Sequence, residues 1–187
     1  MENSQHDQEN IDLEKVVAPI QQKALRIAWN ILGNSHDAED ALQDAMALLL
    51  RRWPRIASHP APASLVIKIC TECSLDLLRK RIRNQAKSHR LAQNAQEQPA
   101  TQLGTTLAAA EIRQAIMNAV GRLPRMQALA FTLRIVDEQD YEDIAKQLEC
   151  SAATIRTHVA RARQKLSVLL KHLEPMGDSR DEQVQRR

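Results

Sequence analysis

Residues Asp140 to Leu170 hold two amphipathic helical patterns separated by only three residues, and no other stretch constrains the fold of this chain so tightly. In the second pattern Ile155, Val159, Ala162, Leu166 and Leu169 recur at steps of four, three, four and three. At about 100° per residue they fall in one narrow stripe. In the first pattern Ile144, Ala145 and Leu148 face inward, Asp140 is placed as N-cap, and Glu142 and Asp143 occupy the first turn, where the helix dipole favours acids. Glu149-Cys150-Ser151 forms the turn, and Ser151 can cap the second helix. Two helices joined this closely make a helix-turn-helix.

The face opposite the stripe carries Ala153, Thr157, Ala160 and Gln164, with Arg156 and Arg163 on one flank and Arg161 on the other. A major groove about 12 Å wide admits a helix whose contacting residues are small, while flanking arginines reach phosphates or guanine edges. The candidate DNA-contacting set is therefore Ala153, Thr154, Arg156, Thr157, His158, Ala160, Arg161, Arg163 and Gln164. From Ser151 to Lys171 there are Lys and Arg but no acid. An ordinary helix with a solvated basic face accounts for the charge, but not for the short turn or the small outward residues.

Composition narrows the rest. A chain of 187 residues holds one ordinary domain or two small ones. Aromatics are 2% and Gly only 4 in number, so cores must be built from Leu, Ile, Val and Ala, and helix is favoured over strand. A net charge of +3 only permits an anionic partner. The odd count of 3 Cys fits no disulfide framework. Cys70 and Cys73 form a Cys-x-x-Cys pair, but zinc wants about four ligands and no second pair or nearby His supplies them, so both are read as small buried hydrophobes. No cofactor or metal is expected. Met1 to Glu14 is polar and acidic, unlike a signal peptide, and no run of about 18 apolar residues occurs, so a cytoplasmic protein without a membrane segment is expected. No phosphate loop, metal set or catalytic triad stands out, so no enzyme is expected.

The expected fold is all-α, with two small helical domains joined by a flexible linker, the C-terminal one a helix-turn-helix. Residues 1–12 read as disordered, 13–83 as the first domain, 84–106 as linker, 107–173 as the second domain and 174–187 as a charged tail. The first domain holds a helix from about Leu13 to Leu32, stopped by Gly33-Asn34. A second is capped by Ser35 and ends near Pro54, with an inner stripe of Ala38, Ala41 or Leu42, Ala45, Leu48 or Leu49, and Trp53. A third, capped by Ser64, runs to about Arg83 with Leu65, Ile69, Cys73 and Leu77 inward. In the second domain Ala110, Ile112, Ile116, Val120 and Leu123 share a face, Leu123-Pro124 breaks the pattern, and Arg125–Val136 forms the next helix.

These residues also resemble a known family. Tyr141-Glu142-Asp143-Ile144-Ala145, Leu148-Glu149-Cys150 and Thr154 to Leu166, preceded by Leu123-Pro124 and Ala128-Leu129-Ala130-Phe131, resemble the region 4 helix-turn-helix of extracytoplasmic-function sigma factors. Independently, Ile31 to Asp44 resembles the start of that family's region 2, and Asp76-Leu77-Leu78-Arg79-Lys80-Arg81 its basic end. The resemblance implies a bacterial transcription initiation factor whose partners are core RNA polymerase, promoter DNA and, as is common in the family, an anti-sigma factor. Region 4 would read the minus-thirty-five element. Region 2 would bind the clamp helices of the polymerase largest subunit through Asp37, Glu39, Asp40, Gln43 and Asp44, and meet the minus-ten element through Arg79, Lys80, Arg81 and Arg83. A solvated first helical turn with dipole-matched acids explains Asp37 and Glu39 as well, but Gln43 less well.

A linker of about 23 residues spans at most ~80 Å and about 25–30 Å as a coil. Two major-groove turns lie about 70 Å apart, so the linker joins them only when drawn out. The chain departs from the family pattern in carrying Leu65 and Glu72 where a Trp and an Asn are usual, and Glu149 and Ala153 where Gly is frequent. Stacking aromatics hold melted strands, and few are present here. A helix-turn-helix regulator, or a sigma-like interaction protein that does not melt promoters, are the competing readings.

Overall fold

The computed structural model describes residues 13–92 and 105–171, and among these residues the regular structure is helical throughout. The expected disordered start, the charged tail and the centre of the expected linker lie outside the described residues. Residues 13–17 are helical and continue through a 3₁₀ turn, Ala18–Ile20, into α1 (Gln21–Leu32). Then follow α2 (Ser35–Ala57), α3 (Pro62–Ala92), α4 (Thr105–Gly121), α5 (Arg125–Ile135), α6 (Tyr141–Gln147) and α7 (Ala152–Leu169).

Helices α1, α2 and α3 pack on one another, and α4 to α7 form a second group in which α5 and α6 pack on α7. Helix α1 buries Ala24, Ile27, Ala28, Ile31 and Leu32, and α2 buries Ala38, Ala41, Ala45, Leu49, Trp53 and Ile56. Where the sequence left two residues open in α2, the inward ones are Ala41 and Leu49. Gly33 ends α1 at φ 80, a left-handed conformation that costs glycine little.

Four boundaries of α2 and α3 differ from the sequence reading. The N-cap of α2 is Asn34 and not Ser35: its side chain accepts from the Asp37 backbone N–H at 2.8 Å and donates to the Asp37 carboxylate at 2.9 Å, so that one amide group closes both bonds. Helix α2 runs through Pro54 to Ala57. One missing N–H in the last turn is a small loss there, and burial of Trp53 and Ile56 on either side of the proline holds that turn. Helix α3 starts at Pro62, which suits a first helical turn, rather than after a Ser64 cap. It also runs on to Ala92, into residues read as linker.

The buried face of α3 also differs from the sequence reading. Leu65, Cys73 and Leu77 are half-buried, whereas Val66, Ile67, Cys70, Thr71, Ser74, Leu75 and Leu78 are buried beside Ile69. The cause is a second set of neighbours: α3 packs on α1 and α2, and also on α4, α5 and α6. Its buried hydroxyls are satisfied within the helix, Thr71 donating to the Ile67 carbonyl and Ser74 to the Cys70 carbonyl, each at 2.8 Å.

The two domains are thus docked, and the buried apolar residues form one continuous cluster. Polar contacts cross the seam. Lys23 pairs with Asp137 at 3.0 Å, where the Asp137 side chain is 1% exposed. Arg125 pairs with Glu72 at 3.4 Å, and the Arg113 guanidinium stacks 4.1 Å from the Trp29 ring centre. Gln147 donates its side-chain amide to the Ser64 carbonyl.

Candidate nucleic-acid interface

Helix α7 is built as a presented edge. Ser151 sits in extended backbone, and its hydroxyl accepts from the Thr154 N–H at 3.1 Å, capping the helix. Ile155, Val159, Ala162 and Leu166 are buried against the domain, and Leu169 is half-buried. This fixes the opposite face. Ala153, Thr154, Arg156, Thr157, Ala160, Arg161, Arg163 and Gln164 are all exposed on it or on its flanks. His158 is half-buried, with a buried Nδ1 that has no partner among the described residues, so it stands apart from the other eight.

The charges on this edge differ in freedom. Arg156 reaches Glu142 at 2.7 Å and lies 5.1 Å from the Tyr141 ring centre, but both charged side chains are more than half exposed. Such a pair is worth about 0–1 kcal/mol and exchanges readily for a phosphate. Arg161, Arg163 and Lys165 have no ion pair or side-chain hydrogen bond among the described residues. The turn before α7 holds Glu149 at φ 53, where a side chain is strained. Sequence reading missed Arg134. It donates to the Gln139 carbonyl at 2.9 Å and flanks the Tyr141 ring, bracing the turn that aims α6. Nothing in spacing distinguishes it from other surface arginines.

The two other expected sites are split by the structure. On α3, Lys80 and Arg83 are exposed, but Arg79 and Arg81 are engaged in protein contacts. Arg79 donates to the Gly121 carbonyl at 3.3 Å and to the Leu123 carbonyl at 3.5 Å, and pairs with Asp76 at 3.1 Å. Arg81 donates to the Leu32 carbonyl at 3.0 Å and to Asp37 at 3.3 Å. Asp37 is therefore half-buried in a cap and an ion pair, while Glu39, Asp40, Gln43 and Asp44 stand exposed along α2. A residue of one expected site binds a residue of the other.

A second cationic surface emerges only in three dimensions. Arg51, Arg52 and Arg55 at the end of α2, His59 in the following turn and Lys68 in α3 line a 640 Å³ cavity together with Glu72 and Glu149. Arg52, Arg55 and Lys68 have no ion pair or hydrogen bond through their side chains among the described residues. The arginines are adjacent in sequence, but Lys68 joins them only because α2 and α3 pack antiparallel. The cysteine pair offers little chemistry. Burial pushes the Cys70 thiol up to about 12, and burial with the nearby Asp44 carboxylate pushes the Cys73 thiol up to about 11. Both are neutral thiols near pH 7, a form that neither attacks nor ligates.

Comparison with known proteins agrees with this layout. Residues 16–92 match the family described as Sigma-70 region 2, and residues 113–166 match Sigma-70, region 4. The class is thereby a factor of sigma-70 type with both regions in order. The chain is 34% identical over 150 residues to the ECF RNA polymerase sigma factor SigM of Mycobacterium tuberculosis, covering 79% of this chain and 71% of that one. A shorter stretch of 54 residues is 37% identical to the ECF RNA polymerase sigma-E factor of Escherichia coli, 29% of this chain and 28% of that one. A solved structure of RpoE in complex with the anti-sigma factor NepR from Bartonella quintana aligns with 86% of this chain and 97% of that one, at 21% identity and a TM-score of 0.48. The chain belongs to the extracytoplasmic-function sigma factors. It is a transcription initiation factor that directs RNA polymerase to promoters. Among the described residues no helix is long and apolar enough to cross a membrane.

Proposed function

We propose that α7 reads the minus-thirty-five element in the major groove, that the exposed face of α2 binds the clamp helices of the polymerase largest subunit, and that the α2–α3 turn with the free cations around it receives the minus-ten element. The chain acts in the cytoplasm and has no catalytic centre of its own. The observation that carries the reading is the division of α7: small exposed residues Ala153, Thr157 and Ala160 between exposed arginines, over an opposite stripe of buried Ile155, Val159, Ala162 and Leu166. On the second surface, Glu39, Asp40, Gln43 and Asp44 form an acidic and amide face on one helix, suited to a basic partner helix. On the third, Arg52, Arg55 and Lys68 supply phosphate-binding charge beside the turn, and Lys80 and Arg83 supply more of it further along α3.

Reconstitution with core polymerase on supercoiled promoter DNA tests the whole. Core binding together with promoter-dependent transcripts is expected, and loss of both overturns it. One observation favours a second reading, a sigma-like factor that binds core without melting DNA. The exposed turn from Ser58 to Ala61 offers no aromatic side chain, and Trp53 beside it is buried. A permanganate footprint of the reconstituted promoter complex separates the two, since only an opened duplex gives reactive thymines.

A further inference from the structure

Helix α7 presents a broad face to a groove but few side chains free to question a base. Ala153 and Ala160 carry no donor. The Thr157 hydroxyl donates to the Ala153 carbonyl at 2.9 Å, and the Thr154 hydroxyl lies 2.9 Å from that of Ser151. Discrimination between base pairs then falls to the longer side chains, and on a recognition helix to those near its N-terminal end. Among the arginines and lysines of α7, Arg156 lies nearest that end.

Arg156 is also the arginine whose fork is held. Its guanidinium lies 5.1 Å from the Tyr141 ring centre and reaches Glu142 at 2.7 Å. The Arg134 guanidinium lies 5.1 Å from the centre of the same ring. Arg134 in turn donates to the Gln139 carbonyl at 2.9 Å and to the Glu138 carbonyl at 3.4 Å, and pairs with Asp140 at 3.6 Å. The turn before α6, which holds Glu138 at φ 56, is thus tied to the ring on which Arg156 rests. Arg161 and Arg163 have neither a ring contact nor an ionic partner among the described residues.

The chemistry of the fork favours a base over a phosphate. A guanidinium has five N–H donors, so one bond to Glu142 leaves enough to grip O6 and N7 of a guanine without letting go. A phosphate at the same place would meet the Glu142 carboxylate, which repels it. Both charged side chains are more than half exposed, so the fork is open to a groove. Contact with the ring limits the freedom of the arginine beforehand, so less is lost when it docks.

We propose that Arg156 reads a guanine in the minus-thirty-five element, and that Tyr141 is the positioning residue that, with Arg134 and Glu142, holds its fork for a base edge rather than a phosphate. This rests on the reading of α7 as the helix in the groove. It divides the cations of α7 into one that discriminates and others, Arg161, Arg163 and Lys165, that bind the backbone.

A randomised pool of duplexes of about 20 base pairs is selected on the full-length chain and sequenced, and the enriched duplexes are titrated by fluorescence anisotropy. The wild type is expected to favour one G·C pair about tenfold over the other pairs at its position. Arg156→Ala and Tyr141→Ala are each expected to cut that ratio to about threefold or less, with the preferences elsewhere intact. Tyr141→Ala should also keep the wild-type salt slope, because the phosphate contacts remain. Tyr141→Phe keeps the ring and is expected to restore the wild-type ratio. A ring that only supported the fold would lower affinity for every duplex alike and leave the ratio unmoved. Glu142→Gln, on the surface, folds even if Tyr141→Ala does not, and is expected to tighten binding to all duplexes about twofold while cutting the ratio about threefold. An unchanged ratio in Tyr141→Ala or in Glu142→Gln overturns the proposal, as does a loss in Tyr141→Phe equal to that in Tyr141→Ala. Arg161→Ala separates the failures. A reduced salt slope there, with every ratio fixed in the Tyr141 and Glu142 variants, removes only the positioning role. Duplex binding indifferent to both Arg156→Ala and Arg161→Ala removes the reading of α7 beneath it.

Discussion

Helices α3 and α7 each carry a run of cations, Arg79, Lys80, Arg81 and Arg83 on one and Arg156, Arg161, Arg163 and Lys165 on the other. In the folded chain the two runs have different occupations. On α7 the whole set faces outward, and among the described residues only Arg156 has an ionic partner, itself exposed. On α3 every second cation is withdrawn: Arg79 bonds carbonyls of the α4–α5 turn, and Arg81 ties the end of α1 to the start of α2. A helix with one packed face leaves its charges to solvent. A helix packed on two sides turns some of them into structural donors. Charge counted along a sequence therefore overstates what α3 can offer a nucleic acid and states fairly what α7 can.

The sharpest way to break this contrast is stability. Arg81→Ala removes two charge-assisted hydrogen bonds and leaves the Leu32 carbonyl short of a partner, so a loss of about 2 kcal/mol in urea unfolding is expected. Arg161→Ala is expected to stay within about 0.5 kcal/mol of wild type. Equal losses would end the distinction. The same logic divides the acidic face. Asp40→Ala combined with Gln43→Ala is expected to weaken core polymerase binding about tenfold, some 1.4 kcal/mol, with no change in Tm. Asp37→Ala should instead lower stability by about 1 kcal/mol through its cap, with titration against labelled core separating direct from indirect loss.

A smaller effect is expected in duplex binding. Arg161→Ala should reduce the slope of log affinity against log salt by about 0.9, measured by anisotropy between about 50 and 200 mM salt, and Lys165 provides a second site for the same test. An unchanged slope would mean that α7 does not face the phosphates. The smallest effect concerns the burial of α3. With its thiol pushed up to about 11, Cys73 is about one thousandth thiolate at pH 8, so iodoacetamide labelling followed by mass spectrometry should be slow and rise about tenfold per pH unit up to pH 10. Labelling at the rate of a free cysteine would show that this face of α3 is open in solution.

How much of this could be read beforehand follows from the same contrast. The helix-turn-helix was legible because its determinants are local. The Ser151 cap and the Ile155-to-Leu166 stripe lie within 20 positions of one another, and both appear where their spacing puts them. Asn34 was missed as the cap because Ser35 competes for the role one residue later, and the reciprocal bond with Asp37 decides between them. The inner face of α3 differs from the sequence reading because part of its packing is against α4, α5 and α6, far downstream, which periodicity within a helix cannot reveal. The engagement of Arg79 and Arg81 was hidden for the same reason, as was the gathering of Lys68 with the three arginines of α2.

The double packing of α3 has a consequence for how such a chain can change over time. From Pro62 to Leu75 no residue is exposed, so this stretch lacks the wet flank along which most helices accept substitutions freely. A replacement that suits α1 and α2 must at once suit α4, α5 and α6. Residues 62–75 and 121–147 are then bound to a common inheritance, and a chimera that takes one half of the chain from a relative would mismatch along this helix unless both segments travelled together.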